Sequence, residues 1–331
     1  MILMVSFGIE FLANEPAHKL AELVAHSEEN GLEYAWITDH YNNRDSFSLL
    51  TYIAARTKTI KLGTGVTNPY TRTAVQLASA IATVNEVSEG RAVLGIGPGD
   101  KMTFDSLGIE WEKPLETIRE TVDVIRQMQT GKKISYDGKI LKIKSAKLNF
   151  GKGSNIPPVY IGAQGPNMLK LAGEIGDGAL VNASHPDDFK FAVKLLKEGR
   201  SGRDFSKFDV GAYTSFSVAS KKEDAQKAAK PVTAFIVAGS PDSVLKKHGL
   251  SDNDVQKLRD AFKVSFADAV RAVTPEMMDA FAICGTPDDC IEKISGLIKV
   301  GVTQIVVGSP IGPDRTEAIK LVGKEIIPHF K

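Results

Sequence analysis

Five polar residues fall where short apolar runs give way to loops: Glu10, Asp39, His40, Asn68 and Asp100. Glu10 stands between Ile9 and Phe11. A carboxylate buried among apolar neighbours has a raised pKa, and a carboxylic acid that keeps its proton near neutrality can act as a general acid. A rim residue paired with Lys or Arg is the other reading of the same position. Thr38-Asp39-His40 sets a carboxylate beside an imidazole. Adjacent strand residues point to opposite faces, so both reach one pocket only if the strand has already ended. Otherwise Asp39 caps a loop and His40 packs. His18, His26, His248 and His329 fall in helical or terminal segments and read as surface residues.

Glycines surround these polar groups. Gly63-Thr-Gly65-Val66-Thr-Asn68-Pro69 places two of them in a strand. Glycine there marks close approach of another group, either a ligand or a crowded interior. Gly95-Ile-Gly97-Pro-Gly99-Asp100 lacks the Lys-Ser/Thr of a P-loop and does not match the dinucleotide fingerprint. It reads instead as a backbone wall against which a flat ring can lie. In Gly162-Ala163-Gln164-Gly165-Pro166, proline suits the first turn of a helix. The free amides of that turn and the helix dipole suit an anion, although an ordinary strand-to-helix turn has the same composition. Asn182-Ala183-Ser184, on the next loop, offers further donors.

The elements that must position these residues follow from hydrophobic period. Six continuous apolar runs, ending at His40, Pro69, Asp100, Pro166, Pro186 and Asp314, read as buried strands. Amphipathic segments separate most neighbours, as repeated βα units require. With Ile2–Ile9 as a first strand and an alternating Phe208–Val218, the count is eight. The expected fold is α/β, a (β/α)8 barrel with its site at the carboxyl ends of the strands. The 331 residues, 43% of them hydrophobic, suit one domain over 1–331 with insertions near 97–114, 131–157 and 221–281. Lys133–Ile143 alternates around Asp137-Gly138 and predicts a hairpin.

A net charge of +1 gives no electrostatic footprint for nucleic acid or an anionic membrane. No apolar run approaches the ~20 residues of a membrane span. The start, Met1 to Val5, reads as strand and not as a signal peptide. Cys284 and Cys290 make neither a disulfide framework nor a zinc pattern. A cytoplasmic setting, a small-molecule substrate and a homo-oligomer, dimer or tetramer, are the expectations.

Seven stretches carry a resemblance over nearly the whole chain: 7–11 (FGIEF), 36–44 (WITDHYNNR), 65–72 (GVTNPYTR), 90–100 (GRAVLGIGPGD), 108–115 (GIEWEKPL), 160–166 (YIGAQGP) and 308–313 (GSPIGP). On these the chain resembles the F420-dependent 5,10-methylenetetrahydromethanopterin reductases, barrels of the bacterial-luciferase-like superfamily. The resemblance implies reduced coenzyme F420, a 5-deazaflavin, as hydride donor. It implies a pterin-bound methylene group as acceptor, direct hydride transfer to give the methyl pterin, and no metal. The setting implied is methanogenesis from CO2 or the reverse direction.

The resemblance supports Glu10 as the catalytic acid. It implies Asp39, His40, Gly65, Val66, Gly97, Ala163, Gln164, Gly165, Asn182 and Ala183 at the cofactor, and Glu10, Asn68 and Asp100 at the substrate. It also implies a non-proline cis peptide at Gly65-Val66. Related deazaflavin-dependent sugar-phosphate dehydrogenases use a His, a Trp four residues later and a Glu. Here His40 is kept, but Arg44 and Asp100 stand at the other two positions, which argues against alcohol oxidation. The alternatives are such an alcohol or sugar-phosphate dehydrogenase, an FMN-dependent monooxygenase, and a non-enzymatic ligand-binding barrel.

Overall fold

The computed structural model describes residues 5–151 and 155–331. The expected first strand is found as β1 (Ser6–Phe11), and residues 2–4 of that expectation lie outside the described residues. Part of the expected 131–157 insertion, residues 152–154, also lies outside them.

Along the chain, β1 leads to α1 (Ala17–Glu29), β2 (Tyr34–Ile37), α2 (Ser46–Ala54), β3 (Lys61–Thr64), α3 (Ala74–Val87) and β4 (Ala92–Ile96). A short α4 (Lys101–Ser106) interrupts the loop before α5 (Pro114–Gln129). The predicted hairpin is β5 (Ile134–Asp137) and β6 (Lys142–Ala146), paired antiparallel. Its turn is wider than a two-residue Asp-Gly turn, because the buried Glu120 carboxylate on α5 accepts from the amides of Lys139, Ile140 and Leu141. Then follow β7 (Val159–Gly162), α6 (Pro166–Ile175), β8 (Gly178–Asn182), α7 (Pro186–Arg200) and β9 (Asp209–Val218).

The insertion after β9 holds five helices: α8 (Lys222–Gly239), α9 (Asp242–Lys247), α10 (Asp252–Val264), α11 (Phe266–Arg271) and α12 (Pro275–Phe281). A three-residue strand, β10 (Ile283–Gly285), pairs parallel with β9. It is too short to leave a period in the sequence. The chain closes with α13 (Pro287–Lys299), β11 (Gln304–Ile311), α14 (Arg315–Leu321), one π-helical turn (Val322–Ile326) and α15 (Ile327–Phe330).

Strands β1, β2, β3, β4, β7, β8, β9 and β11 pair parallel in that order, and β11 returns to β1. This is a closed (β/α)8 barrel. Its interior is filled by Tyr34, Trp36, Val93, Tyr160, Leu180 and Val306. Tyr34 and Trp36, two residues apart on β2, share the inward face and stack with centroids 5.8 Å apart. The Trp36 indole N–H donates to Gln304 Oε1 at 3.0 Å, satisfying the one polar atom of a fully buried ring. A Cβ at Gly63 would overlap the Trp36 ring. That glycine therefore answers to a crowded interior. The outward faces of the strands meet the helices in one large apolar layer that includes Phe7, Ile9, Ile37, Leu50, Leu94 and Ile305. Helices α8–α12 form a second, separate core around Leu258, Met277 and Ala234.

Candidate functional site

At the carboxyl ends of the strands lie two adjoining cavities, of about 810 Å³ and 360 Å³. Both fall in the ordinary size range of ligand sites. Glu10, Asn182 and Tyr213 line both. Glu10 thus occupies the junction.

β1 carries Glu10 into the barrel mouth, where it is 8% exposed. Its Oε2 accepts from the Ser309 amide at 3.0 Å, its one hydrogen bond within the chain among the described residues. Loss of water outweighs that one donor and pushes the carboxyl up to about 7. No cation pairs with it among the described residues, so the rim reading of this position does not hold. Gly308 makes the arrangement possible. A Cβ there would overlap the Thr214 carbonyl oxygen and come within 2.9 Å of Glu10 Oε2. Tyr213, on β9, donates its hydroxyl to the Gly65 carbonyl at 3.0 Å. Burial, and then the nearby Glu10 charge, raise its ionisation well above the usual range.

Asp39 follows the end of β2 and is tied down. It accepts from Thr67 Oγ1 at 2.6 Å and from the Arg72 guanidinium, and Arg72 also grips Asp45. β2 ends at Ile37, so the pair 39/40 lies beyond the strand and alternation does not separate its side chains. Asp39 is 6% exposed in its side chain, whereas His40 is exposed at the rim, and both line the larger cavity. Asn68 and Asp100 also reach that cavity, yet their oxygens shape loops. Asn68 Oδ1 accepts from the amides of Tyr70 and Thr71. Asp100 caps α4 through the Met102 and Thr103 amides, and the Thr103 hydroxyl holds its carboxyl below the usual range.

The glycine-rich segments form the opposite wall. Gly65 and Val66 are joined by a cis peptide, as the resemblance implied. A Cβ at Gly65 would lie 2.6 Å from the Tyr213 hydroxyl, and one at Gly97 would lie 2.9 Å from Val66 Cγ2. The bare backbone at 97 and 162 lets Val66 reach the cavity wall. Gly165 N-caps α6 with open space on its side, and Pro166 follows as the first helical residue. Ala163, Gln164, Gly165 and Asn182 line the larger cavity. Ala183 is not among its lining residues. Its amide turns back to the Val181 carbonyl. Ser184 is buried, accepts from the Ser215 amide at 3.1 Å and lines neither cavity, so it supports the loop from behind.

Thr38 marks where a ligand would add a partner. The residue lines the larger cavity, and its buried hydroxyl oxygen makes no hydrogen bond among the described residues. This orphan, the bare-backbone wall and the open helix start suit an elongated molecule with a flat ring at one end and an anion further along.

Tyr213, Ser309 and Gly308 shape the candidate site, and sequence reasoning gave none of them a role there. Tyr213 was legible only as an inward position of the alternating Phe208–Val218. Ser309 bonds to a residue 299 positions away, and no local pattern announces that. His248 was read as a surface residue. Its side chain is 3% exposed, 3.0 Å from Asp188 and edge-on to His185 and Phe281. Its position at the C-cap of short α9 gave no sign of this packing.

Comparison with known proteins gives consistent results. The profile of the luciferase-like monooxygenase family matches residues 2–304. The 5,10-methylenetetrahydromethanopterin reductase of Archaeoglobus fulgidus is 53% identical over 99% of this chain and 100% of its own length. The protein of the same name from Methanolobus tindarius is 51% identical over 98% and 100%. The solved structure of the coenzyme F420-dependent tetrahydromethanopterin reductase from Methanopyrus kandleri superimposes with a TM-score of 0.95. It is 47% identical over 99% of both chains.

Proposed function

The chain belongs to the luciferase-like monooxygenase family and, within it, to the 5,10-methylenetetrahydromethanopterin reductases, and from that premise we infer that it reduces 5,10-methylenetetrahydromethanopterin to the 5-methyl compound with coenzyme F420. The observation that carries the chemistry is Glu10, a buried carboxyl poised near neutrality at the junction of two cavities.

The backbone at Gly65, Val66 and Gly97 would back the deazaflavin ring. The Gly165 turn would take the phosphate, and Thr38 and Asn182 would meet polar edges. Reduced F420, when bound, supplies the hydride that turns the methylene carbon into a methyl group. Glu10 holds the proton. The methylene carbon bridges two nitrogens of the substrate, and one C–N bond must break before the carbon can accept a hydride. Glu10 in its protonated form gives its proton to the departing nitrogen. The carboxylate left behind faces the resulting iminium cation from a position only 8% exposed, where opposite charges attract more strongly than in bulk water. Ser309 keeps the carboxyl oriented by bonding one oxygen and leaving the other free. Tyr213, anchored on Gly65, fixes the wall between donor and acid.

The assignment of these site roles is part of the proposal. So is a cytoplasmic setting, which two buried free thiols, Cys284 and Cys290, support. The homo-oligomeric state is a further expectation, measurable by light scattering. The test of function is an anaerobic assay with reduced F420 and methylenetetrahydromethanopterin. Stoichiometric deazaflavin oxidation and methyl-pterin formation are expected. No transfer, or oxygen consumption with FMN in its place, would contradict the reading.

A further inference from the structure

The smaller cavity is built unlike the larger one. Its inner side is the barrel mouth, with Glu10, Thr214, Ser215 and Ser309. Its outer side is the insertion after β9, with Val232, Phe235 and Ile236 on α8 and Phe266 on α11. Leu12 adds an apolar edge, two residues beyond Glu10 and so on the same face of the chain as β1 ends. Pro231 removes one hydrogen bond from the turn of α8 that lines the cavity.

Phe235 is 65% exposed and Phe266 44% exposed. With Phe262 they form a mutual edge-on cluster, centroids 5.5 to 5.9 Å apart. Neighbours hold these rings in place, yet two of them leave much of their surface open. Most other apolar side chains of the insertion lie in or against its own core, Val264 being the exception at 78% exposed. An aromatic wall facing a carboxyl across a 360 Å³ space fits a flat, nitrogen-rich ring that stacks on one side and exchanges a proton on the other.

Resting on the proposed reductase activity, we propose that this cavity receives the pterin ring of the acceptor and that Phe235, backed by Phe262 and Phe266, is its specificity-determining wall. The barrel then supplies the chemistry and the cofactor site, and the insertion supplies acceptor recognition. The two ligands approach from different cavities and meet at Glu10 and Tyr213. A second copy of the chain seated on the aromatic cluster is the competing occupant.

The test compares wild type with Phe235→Ala, Phe235→Trp and Phe266→Ala, measuring KM for methylenetetrahydromethanopterin and, separately, reduced-F420 affinity by fluorescence. The stacking loss in Phe235→Ala is expected to raise KM about tenfold. F420 affinity should stay within about twofold, and Phe235→Trp should restore KM. Phe191→Ala removes another exposed aromatic outside both cavities, and both constants should stay at wild-type values. An unchanged KM in both alanine variants overturns the assignment. So does a parallel loss of F420 affinity, or a drop in solution mass without a change in KM. Absence of turnover in wild type would overturn the underlying activity instead, so the two failures are distinguishable.

Discussion

Glu10 retains a proton near neutrality because burial removes its water and Ser309 returns only one donor. Its folded pKa, about 7, lies above the ordinary 4.5. The folded state therefore binds the proton more tightly than the unfolded chain, and stability falls as pH rises through that window. Below about 4.5 there is no penalty. Above about 7 it is complete, at roughly 3 kcal/mol. Glu10→Gln has no titrating group there. Chemical denaturation across this range should show wild type losing stability relative to the variant, and parallel curves would contradict a raised pKa. Arg72 gives a second prediction at this scale. It is 24% exposed while its partner Asp39 is 6% exposed, so Arg72→Met leaves a nearly buried carboxylate without its cation. A cost of about 1–3 kcal/mol is expected, between the values for exposed and fully buried pairs. An unchanged denaturation midpoint would show that Asp39 is held by Thr67 alone. Glu10 could be picked out from sequence by its position among apolar residues. Its proton could not, because that depends on Ser309 and Gly308 at the far end of the chain.

The elements divide into those with a period and those without. Strand Ala92–Ile96 and the first four residues of Gly178–Asn182 are apolar because they are covered on both faces, and their runs are legible for that reason. The loops at their ends are legible as well, since glycine and proline mark them. Gly63 looked like a possible ligand contact but makes room for Trp36, a distinction only packing can make. The insertion is the least legible part. Helical spacing indicates several helices there, but not that they form a separate core facing the barrel mouth. Leu258 is fully buried in that core. Leu258→Ala should cost about 2–5 kcal/mol, as truncations of buried leucine do. If the insertion opens as its own unit, the loss will appear in hydrogen exchange of α8 and α10 before β1 or β11 responds. Uniform loss of protection across barrel and insertion would show one cooperative unit instead.

At the scale of the whole molecule, the barrel holds a carboxyl, a bare-backbone wall and a helix start around one cleft, and the insertion places aromatic rings across from them. Only the closed sheet brings residues 10, 65, 165, 213 and 309 to one place. Family resemblance rests on the loops that do this, which is why so much of the site could be read from sequence while the aromatic wall could not. The central claim is that Glu10 supplies the proton for F420-dependent reduction of the methylene pterin. Its most direct test is single-turnover reduction by wild type and Glu10→Gln, with reduced-F420 affinity measured on both. The expected result is a fall in rate of about 10²–10⁴-fold, the range for a positioned acid, with F420 affinity unchanged. A variant that reduces the methylene pterin within a few-fold of the wild-type rate would contradict the account.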